Sequence, residues 1–295
     1  MNCGDVCNDL KGYSFITQYT SKVFDDDYVS YSLFVNPTTK RFMVSFRGSH
    51  SPIQLIDEII NGGYVTYDLY NITNAVTTKY FYQHYVGNLR DSFLSNLTQQ
   101  IALYPDFQYY FVGHSLGGAF ATQAILDVIL GGVLKKEQVH MYNYGSPRVG
   151  NIDFTQAVDD NVAGEIFRVT HYKDLVPHVP PCIVDMKGQC LTGEKEKDPE
   201  TLLYYCWHIS PEVFYDKEDS SEYKICTKDE DITCSDQFLI WNLSVEDHLH
   251  YLGVSTHCND SGAFTGEKWT VEAKEMVIDA LIQATAEQRV RKISI

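Results

Sequence analysis

The chain has 295 residues, of which 39 are Asp or Glu and 23 are Lys or Arg, so its formal net charge at pH 7 is -16. This length suits one large domain with a single hydrophobic core, and no linker-like stretch divides the sequence. Because the acidic composition offers no basic patch for phosphates, it argues against a nucleic-acid-binding protein.

Two of the eight cysteines lie near the N-terminus, at positions 3 and 7, and the other six lie between residues 182 and 258. An even number of cysteines in loop-like segments predicts disulfides, and no spacing among them is typical of a zinc site. Four sequons, at Asn71, Asn96, Asn242 and Asn259, are glycosylation acceptors if the chain is exported. No apolar run reaches the roughly 18 residues of a membrane span, and the N-terminus does not resemble a signal peptide. We therefore interpret the chain as a mature secreted protein that begins with an added Met1.

The first predicted elements are a β-hairpin and a short helix. Residues 28–35 and 41–48 are rich in β-favouring side chains, and a turn with Pro separates them. Ser51 then offers an N-cap, Pro52 suits the first helical position, and Gly62 ends the helix.

This short helix has one wide apolar face, formed by Ile53, Leu55, Ile56, Ile59 and Ile60. The periodicity allows two interpretations. The helix either packs permanently on the core, or it is a mobile lid that covers an active site in water and turns its apolar face to a lipid surface on opening.

The most informative stretch follows a helix predicted over residues 84–104. Four β-favouring residues, 109–112, run directly into Gly113-His114-Ser115-Leu116-Gly117, and a helix rich in small residues begins there. A strand, a tight turn and a helix that meet at Gly-X-Ser-X-Gly predict a nucleophile elbow.

The elbow chemistry explains the residue types. The turn strains the backbone of Ser115, and Gly113 and Gly117 leave space where a Cβ would collide with the strand or helix. Ser115 is thereby exposed as a nucleophile, and the Leu116 N–H points to where an oxyanion forms.

Residues 139–144 and 165–172 predict two further strands, and they alternate with helices. This alternation indicates an α/β fold with a mostly parallel sheet covered on both faces. The site of such a sheet lies at the carboxyl ends of its strands.

A nucleophilic serine needs an acid and a base, which lie later in the chain in this fold. Asp174 directly follows a predicted strand, where it is either a turn-capping residue or the catalytic acid. His248 and His250 are the late histidines, and position alone makes either of them the base.

Between acid and base, residues 182–241 contain five cysteines and the charged loop 194–198. We interpret this segment as a disulfide-rich insertion without a core of its own. A C-terminal helix is predicted from about Val271 to Val290.

These segments together resemble the class 3 lipase family, which includes secreted fungal triacylglycerol lipases. The resemblance runs from about Tyr28 to Cys258, in family order, through Phe46-Arg47-Gly48-Ser49, Gly113-His114-Ser115-Leu116-Gly117-Gly118, Tyr144-Gly145-Ser146-Pro147-Arg148, Asp174-Leu175-Val176-Pro177-His178 and Asp247-His248-Leu249-His250-Tyr251.

The resemblance implies an α/β-hydrolase fold for a single domain, residues 1–295, with a lid at about 49–63. It implies that Ser115, Asp174 and His248 form the catalytic triad, with His250 as a neighbour, and that Ser49 joins Leu116 in the oxyanion hole. It also implies a disulfide between Cys226 and Cys234, and one from Cys258 to Cys3 or Cys7. An insertion relative to the fungal members falls at about Met186–Tyr205.

The implied function is that of a secreted lipase that hydrolyses acylglycerols at an oil–water interface, with no metal or organic cofactor. The acidic surface favours a neutral or zwitterionic ester lipid as substrate. A phospholipase or a feruloyl-type carboxylesterase would use the same triad, and an inactive lipid-binding or storage protein could share the fold. The sequence does not indicate an oligomeric state.

Overall fold

The structure is a computed structural model, and it describes residues 10–23, 28–49, 55–56, 58–59, 62–180, 206–217, 221–238 and 242–256. Several predictions lie outside the described residues. They concern Ile53 and Ile60, the cysteines Cys3, Cys7, Cys182, Cys190 and Cys258, the sequon at Asn259, the insertion at 186–205 and the helix at 271–290.

The described part of the chain forms an eight-stranded central sheet, with strands numbered along the chain. Their order across the sheet is β1 (Ser14–Lys22), β2 (Tyr28–Asn36), β3 (Arg41–Phe46), β6 (Gln108–His114), β7 (Val139–Tyr144), β9 (Ile166–His171), β11 (Glu212–Tyr215) and β12 (Lys224–Cys226). Strands β3, β6, β7, β9 and β11 are parallel, whereas β1, β2 and β12 pair antiparallel at the two sides. The predicted mostly parallel sheet is confirmed.

The described residues also form two smaller sheets. One contains β4 (Tyr64–Thr66), β5 (Val76–Thr78), β8 (Gly150–Asn151) and β10 (Cys206–Trp207). The other is a hairpin of β13 (His250–Tyr251) and β14 (Val254–Ser255).

The α-helices that lie wholly within the described residues are α1 (Lys79–His84), α2 (Arg90–Leu103), α3 (Leu116–Leu130) and α4 (Ile152–Asn161). A π-helical turn, Tyr85–Leu89, joins α1 to α2. The helix predicted over 84–104 therefore begins five residues earlier, at Lys79. The sequence does not indicate this start, because the Tyr-rich segment before residue 84 has no clear helical period. None of the helices in the described ranges is long and apolar enough to cross a membrane.

The main core lies between the sheet and helices α2 and α3. Tyr109 and Phe111 of β6 are fully buried, whereas Tyr110 and Val112 are half-buried, so alternate side chains of β6 face opposite sides of the sheet. Phe93 and Leu97 of α2 belong to the same buried apolar cluster as β6. This packing holds the start of α3 against the end of β6.

A buried ion cluster joins three distant segments next to the acid segment. The guanidinium of Arg148 donates to both carboxylate oxygens of Glu230, at 3.0 and 2.7 Å, to Asp236 at 3.1 Å and to the carbonyl of Pro180 at 3.1 Å. Burial alone would raise the pKa of Glu230, but the charge of Arg148 holds it below its ordinary value. Burial, reinforced by Glu230, raises the pKa of Asp236 well above its ordinary value.

The carboxylates of this cluster lie within and just after a disulfide loop. Cys226 and Cys234 form the disulfide that the family resemblance implies. Because Glu230 lies inside this loop and Asp236 just after it, the loop is anchored both covalently and through Arg148.

We predict that Arg148→Met lowers the free energy of unfolding by about 3–5 kcal/mol, because it leaves a buried carboxylate without its guanidinium. The measurement is urea denaturation. The matched control is Lys217→Ala, which removes an exposed ion pair with Glu222 at 3.7 Å and should cost less than about 1 kcal/mol. Equal effects of the two substitutions would contradict a stabilising role for the buried cluster.

Candidate active site

Ser115 occupies the sharp turn between β6 and α3. Its φ is 58° and its ψ is -129°, a left-handed conformation that side-chain-bearing residues rarely adopt. The Ser115 N–H donates to the Tyr144 carbonyl at 2.9 Å, and the Ser115 carbonyl accepts from the Gly118 N–H at 2.9 Å. The neighbouring strand and the first turn of α3 therefore hold the strained backbone in place.

The two glycines of the motif are required by close backbone approaches. A Cβ on Gly113 would lie 2.2 Å from the carbonyl of Gly117, and a Cβ on Gly117 would lie 2.2 Å from the Phe46 carbonyl oxygen. Any larger residue would separate α3 from β6 and from the end of β3.

Asp174 lies three residues after β9, and both oxygens of its carboxylate accept hydrogen bonds. Oδ2 accepts from His248 Nδ1 at 2.9 Å and from the Tyr251 hydroxyl, while Oδ1 accepts from the Val176 N–H at 2.9 Å. The side chains of Asp174 and His248 are each only 1% exposed. Three donors thus compensate for the burial of this carboxylate.

His248 lies in the single helical turn Asp247–Leu249. Because its Nδ1 donates to Asp174, the neutral ring carries its lone pair on Nε2. Nε2 and the Ser115 hydroxyl are both buried, and neither has a hydrogen-bond partner among the described residues. The prediction that Ser115 is exposed is therefore wrong for this conformation: its exposed fraction is 3%, because apolar residues from both sides of the elbow and from the segment 55–59 pack around this region. The ring of His248 packs 4.4 Å, centroid to centroid, from that of His114, the residue next to Ser115. His248 thus lies against the residue that directly precedes Ser115, as expected if they are base and nucleophile.

The structure separates the two histidines that the sequence position left open. His248 is buried and bonded to Asp174. His250 is exposed, and its Nδ1 lies 3.3 Å from the carbonyl of Glu246. Of the two, only His248 has the contacts of an oriented base.

The segment after β3 lies directly beside the nucleophile. A Cβ on Gly48 would be 2.9 Å from the His114 carbonyl oxygen and 3.4 Å from the Ser115 Cβ. Ser49 follows and is half-buried. Leu116 is the first residue of α3, where a backbone N–H has no partner within the helix. These two positions are therefore placed near Ser115, where an oxyanion hole would require its donors.

The described residues of the amphipathic segment are turned inward. Leu55, Ile56 and Ile59 have helical backbones, and their exposed fractions are 0%, 1% and 1%. All three belong to the main apolar cluster, together with Phe46 and Leu116 from the two sides of the elbow. In this conformation the apolar face is covered.

Two residues of the site were not singled out by the sequence. The Tyr251 hydroxyl donates to Asp174, and burial, together with the charge of Asp174, raises the pKa of Tyr251 well above its ordinary value, so it remains a donor. Gly145 has a φ of +55°, and a Cβ there would lie 2.7 Å from Asp174 Oδ2 and 3.0 Å from His248 Nδ1. Both residues lie in the family-like motifs, but only the folded chain shows what they contact.

Within the described ranges, no three His, Cys, Asp or Glu side chains are grouped as ligands for a metal ion. Cys206 is a free, buried thiol, and burial raises its pKa to about 12. It lies next to the Thr78 hydroxyl, at 3.8 Å.

The family model and the curated relatives that this chain matches are all lipases. The family model of class 3 lipases matches residues 43–184. A lipase of Caenorhabditis elegans is 32% identical over 183 residues, which are 56% of this chain and 52% of the relative. A lipase of Rhizomucor miehei is 29% identical over 220 residues, 74% of this chain and 53% of the relative. The chain thus spans about half the length of these curated relatives.

Solved structures share the fold over most of the chain. A lipase of Rhizopus microsporus var. chinensis has a TM-score of 0.69 and 26% identity, and the match covers 86% of this chain and 78% of that one. A lipase of Yarrowia lipolytica has a TM-score of 0.69 and 25% identity, with 88% and 86% coverage. Another neighbour, also with a TM-score of 0.69, is a triacylglycerol lipase whose catalytic centre is a serine protease triad. With its five ordered motifs and its mostly parallel sheet, the chain has the α/β-hydrolase fold, and over residues 43–184, just under half of its length, it matches the class 3 lipase family.

Proposed function

We propose that this protein is a secreted serine lipase that hydrolyses carboxylic ester bonds of acylglycerols. The observation that carries the proposal is the buried hydrogen bond between His248 Nδ1 and Asp174. It leaves Nε2 without a hydrogen-bond partner among the described residues, on a ring that packs against His114, the residue before the strained Ser115. An imidazole oriented in this way next to a serine at an elbow is the arrangement that nucleophilic ester cleavage requires.

The reaction begins when His248 Nε2 takes the hydroxyl proton of Ser115 as the serine oxygen attacks the ester carbonyl. Asp174 stabilises the imidazolium that forms, and His248 then returns the proton to the leaving alcohol. Water hydrolyses the acyl-serine in the second half of the reaction, with His248 again as base.

The negative charge that develops on the carbonyl oxygen needs donors that are already in place. The N–H groups of Leu116 and Ser49, together with the Ser49 hydroxyl, take this role in the proposal. Each such donor is typically worth on the order of 3 kcal/mol in the transition state.

Three observations support an acylglycerol as substrate. The inward apolar face of Leu55, Ile56 and Ile59 is what a closed lid would present. A Fusarium solani relative, 31% identical over 162 residues, is a secreted mono- and diacylglycerol lipase. The net charge of -16 also favours a neutral or zwitterionic lipid over an anionic surface.

Secretion is supported by the Cys226–Cys234 disulfide, since disulfides persist in oxidising compartments. The described sequons at Asn71 and Asn242 are exposed and thus accessible to glycosylation, whereas Asn96 lies in α2 and donates to the Tyr31 hydroxyl at 2.7 Å. The proposed layout remains one catalytic domain with a lid at about 49–63 and an insertion at about 182–241.

The proposed triad is tested by labelling with a fluorophosphonate and by mass spectrometry of the modified peptide. We expect wild type to be labelled at Ser115, His248→Ala to lose labelling, and His250→Ala to keep it, because His248 is bonded to the Asp174 carboxylate whereas His250 lies against the Glu246 carbonyl. Labelling is also measured with detergent micelles, so that a closed lid does not hide the serine. A folded wild type that stays unlabelled in micelles would favour an inactive lipid-binding protein.

The packing of Gly145 against the triad gives a second prediction. Gly145→Ala should lower kcat/KM for a soluble p-nitrophenyl ester by roughly a hundred-fold, because its Cβ would displace Asp174 and His248. Gly132→Ala is the matched control, since Gly132 has a φ of +67° and nothing within 4 Å of a Cβ. It carries the same backbone strain without the collision, so its activity should stay near wild type. Comparable losses in both variants would refute the collision as the cause.

The proposed substrate class predicts how the rate of hydrolysis depends on substrate concentration. If the inward apolar segment is a lid, hydrolysis of a short-chain triacylglycerol should rise steeply once its concentration exceeds the solubility limit. Rates are measured by pH-stat titration across that limit, with a feruloyl ester and a phosphatidylcholine as comparison substrates. A hyperbolic curve through the limit, with preference for the feruloyl ester, would instead indicate a carboxylesterase without interfacial activation.

A further inference from the structure

The loop that carries His248 has few backbone links to the central sheet. Ser244 is linked to the acid segment, through its N–H to the Lys173 carbonyl at 2.7 Å and its carbonyl to the Leu175 N–H at 3.1 Å. Beyond Ser244, the backbone hydrogen bonds found within the described residues are internal to the loop, and β13 pairs there with β14 alone. Side-chain contacts add to these backbone links in placing His248 over the strand ends.

Two histidines at strand ends contact consecutive carbonyls of this loop. His114, the last residue of β6, places Nε2 2.8 Å from the His248 carbonyl oxygen. His171, the last residue of β9, places Nδ1 3.2 Å from the Asp247 carbonyl oxygen. Since a carbonyl only accepts, His114 must carry its proton on Nε2 and His171 on Nδ1.

We propose that His114 and His171, which we call the histidine clamp, are positioning residues that fix the backbone of His248 for proton transfer. The inference rests on the proposed serine hydrolase function. The clamp acts through the hydrogen bonds to the two carbonyls. Each position therefore requires a side-chain N–H at a set distance from its own Cα.

The clamp connects all three members of the proposed triad. His114 directly precedes Ser115, so the strand that presents the nucleophile also holds the carbonyl of the base. His171 accepts at its own carbonyl from the Asp174 N–H at 3.0 Å, which ties the same residue to the acid. The clamp therefore sets the distance of the base from both of its partners.

Both clamp rings also flank the tyrosine that bonds to the acid. The centroid of the Tyr251 ring lies 5.4 Å from that of His114 and 5.6 Å from that of His171. Ring packing alone would satisfy these contacts, whereas the two carbonyls need donors. The two roles, packing and donation, can thus be separated by substitution.

Amide side chains provide that separation because they differ in reach. The amide nitrogen of Gln lies near the position of a histidine Nε2, and that of Asn lies near the position of Nδ1. We therefore compare His114→Gln, His114→Asn, His171→Asn and His171→Gln, with His114→Phe and His171→Phe as rings that lack a donor.

The expected pattern is crossed between the two positions. At 114, Gln should keep kcat within about three-fold of wild type, while Asn and Phe lower it by about ten-fold or more at unchanged KM. At 171, Asn should be the tolerated amide, and Gln and Phe the impaired variants. The substrate is a soluble p-nitrophenyl ester, and thermal denaturation confirms that each variant is folded.

A second readout does not depend on turnover. The proton shared by His248 Nδ1 and Asp174 gives a far-downfield proton NMR resonance, which should broaden or shift in the impaired variants and persist in the tolerated ones. Ser115→Ala serves as the background control for hydrolysis. If wild type shows no hydrolysis above that control, the proposed function fails, yet the resonance still tests the clamp.

The clamp is refuted if the Phe variants keep wild-type kcat and an unchanged resonance, since packing would then be sufficient. It is equally refuted if Gln and Asn have the same effect at both positions, because the reach of the donor would then not matter.

Discussion

The hydrogen bond between His248 and Asp174 is the contact on which the rest of the site depends. It joins side chains 74 residues apart in the chain, and both are almost completely buried. A buried carboxylate is costly unless its oxygens are hydrogen-bonded, and Asp174 meets this requirement with His248, Tyr251 and the Val176 N–H. Each donor belongs to a segment that must itself be held in place.

The segments around Asp174 are fixed by a second buried electrostatic contact. Arg148 binds the Pro180 carbonyl of the acid segment and, on its other side, the carboxylates of Glu230 and Asp236. The Cys226–Cys234 disulfide closes the loop that carries Glu230. A buried Arg148 or Glu230 without its partner would be destabilising, whereas the ion pair between them anchors the acid segment to the edge of the sheet.

The sequence predicted those features that depend on local physics. The strand, turn and helix around Ser115 are readable because Gly-X-Ser-X-Gly encodes steric requirements within a few residues. The start of α1 at Lys79 was missed, since tertiary packing and not periodicity makes that Tyr-rich segment helical. Position could not separate His248 from His250, because the difference is a contact with Asp174, and only the fold brings that residue near. Tyr251, Gly145 and the Arg148 cluster were missed for the same reason.

Three neighbouring strands together fix Ser115, the proposed nucleophile. The backbone of Ser115 is strained by about 1–3 kcal/mol, and such strain persists only where the surroundings over-determine it. Here β7 contributes the Tyr144 carbonyl, the end of β3 lies against Gly117, and β6 runs into the turn itself. The same strand ends continue into Gly48 beside the nucleophile and Gly145 beside the acid and base. Parallel strands end at the same edge of a sheet, so one rigid layer positions the strained Ser115, the proposed oxyanion segment and the proposed acid–base pair. A change at any one of these strand ends should therefore disturb all three of these features.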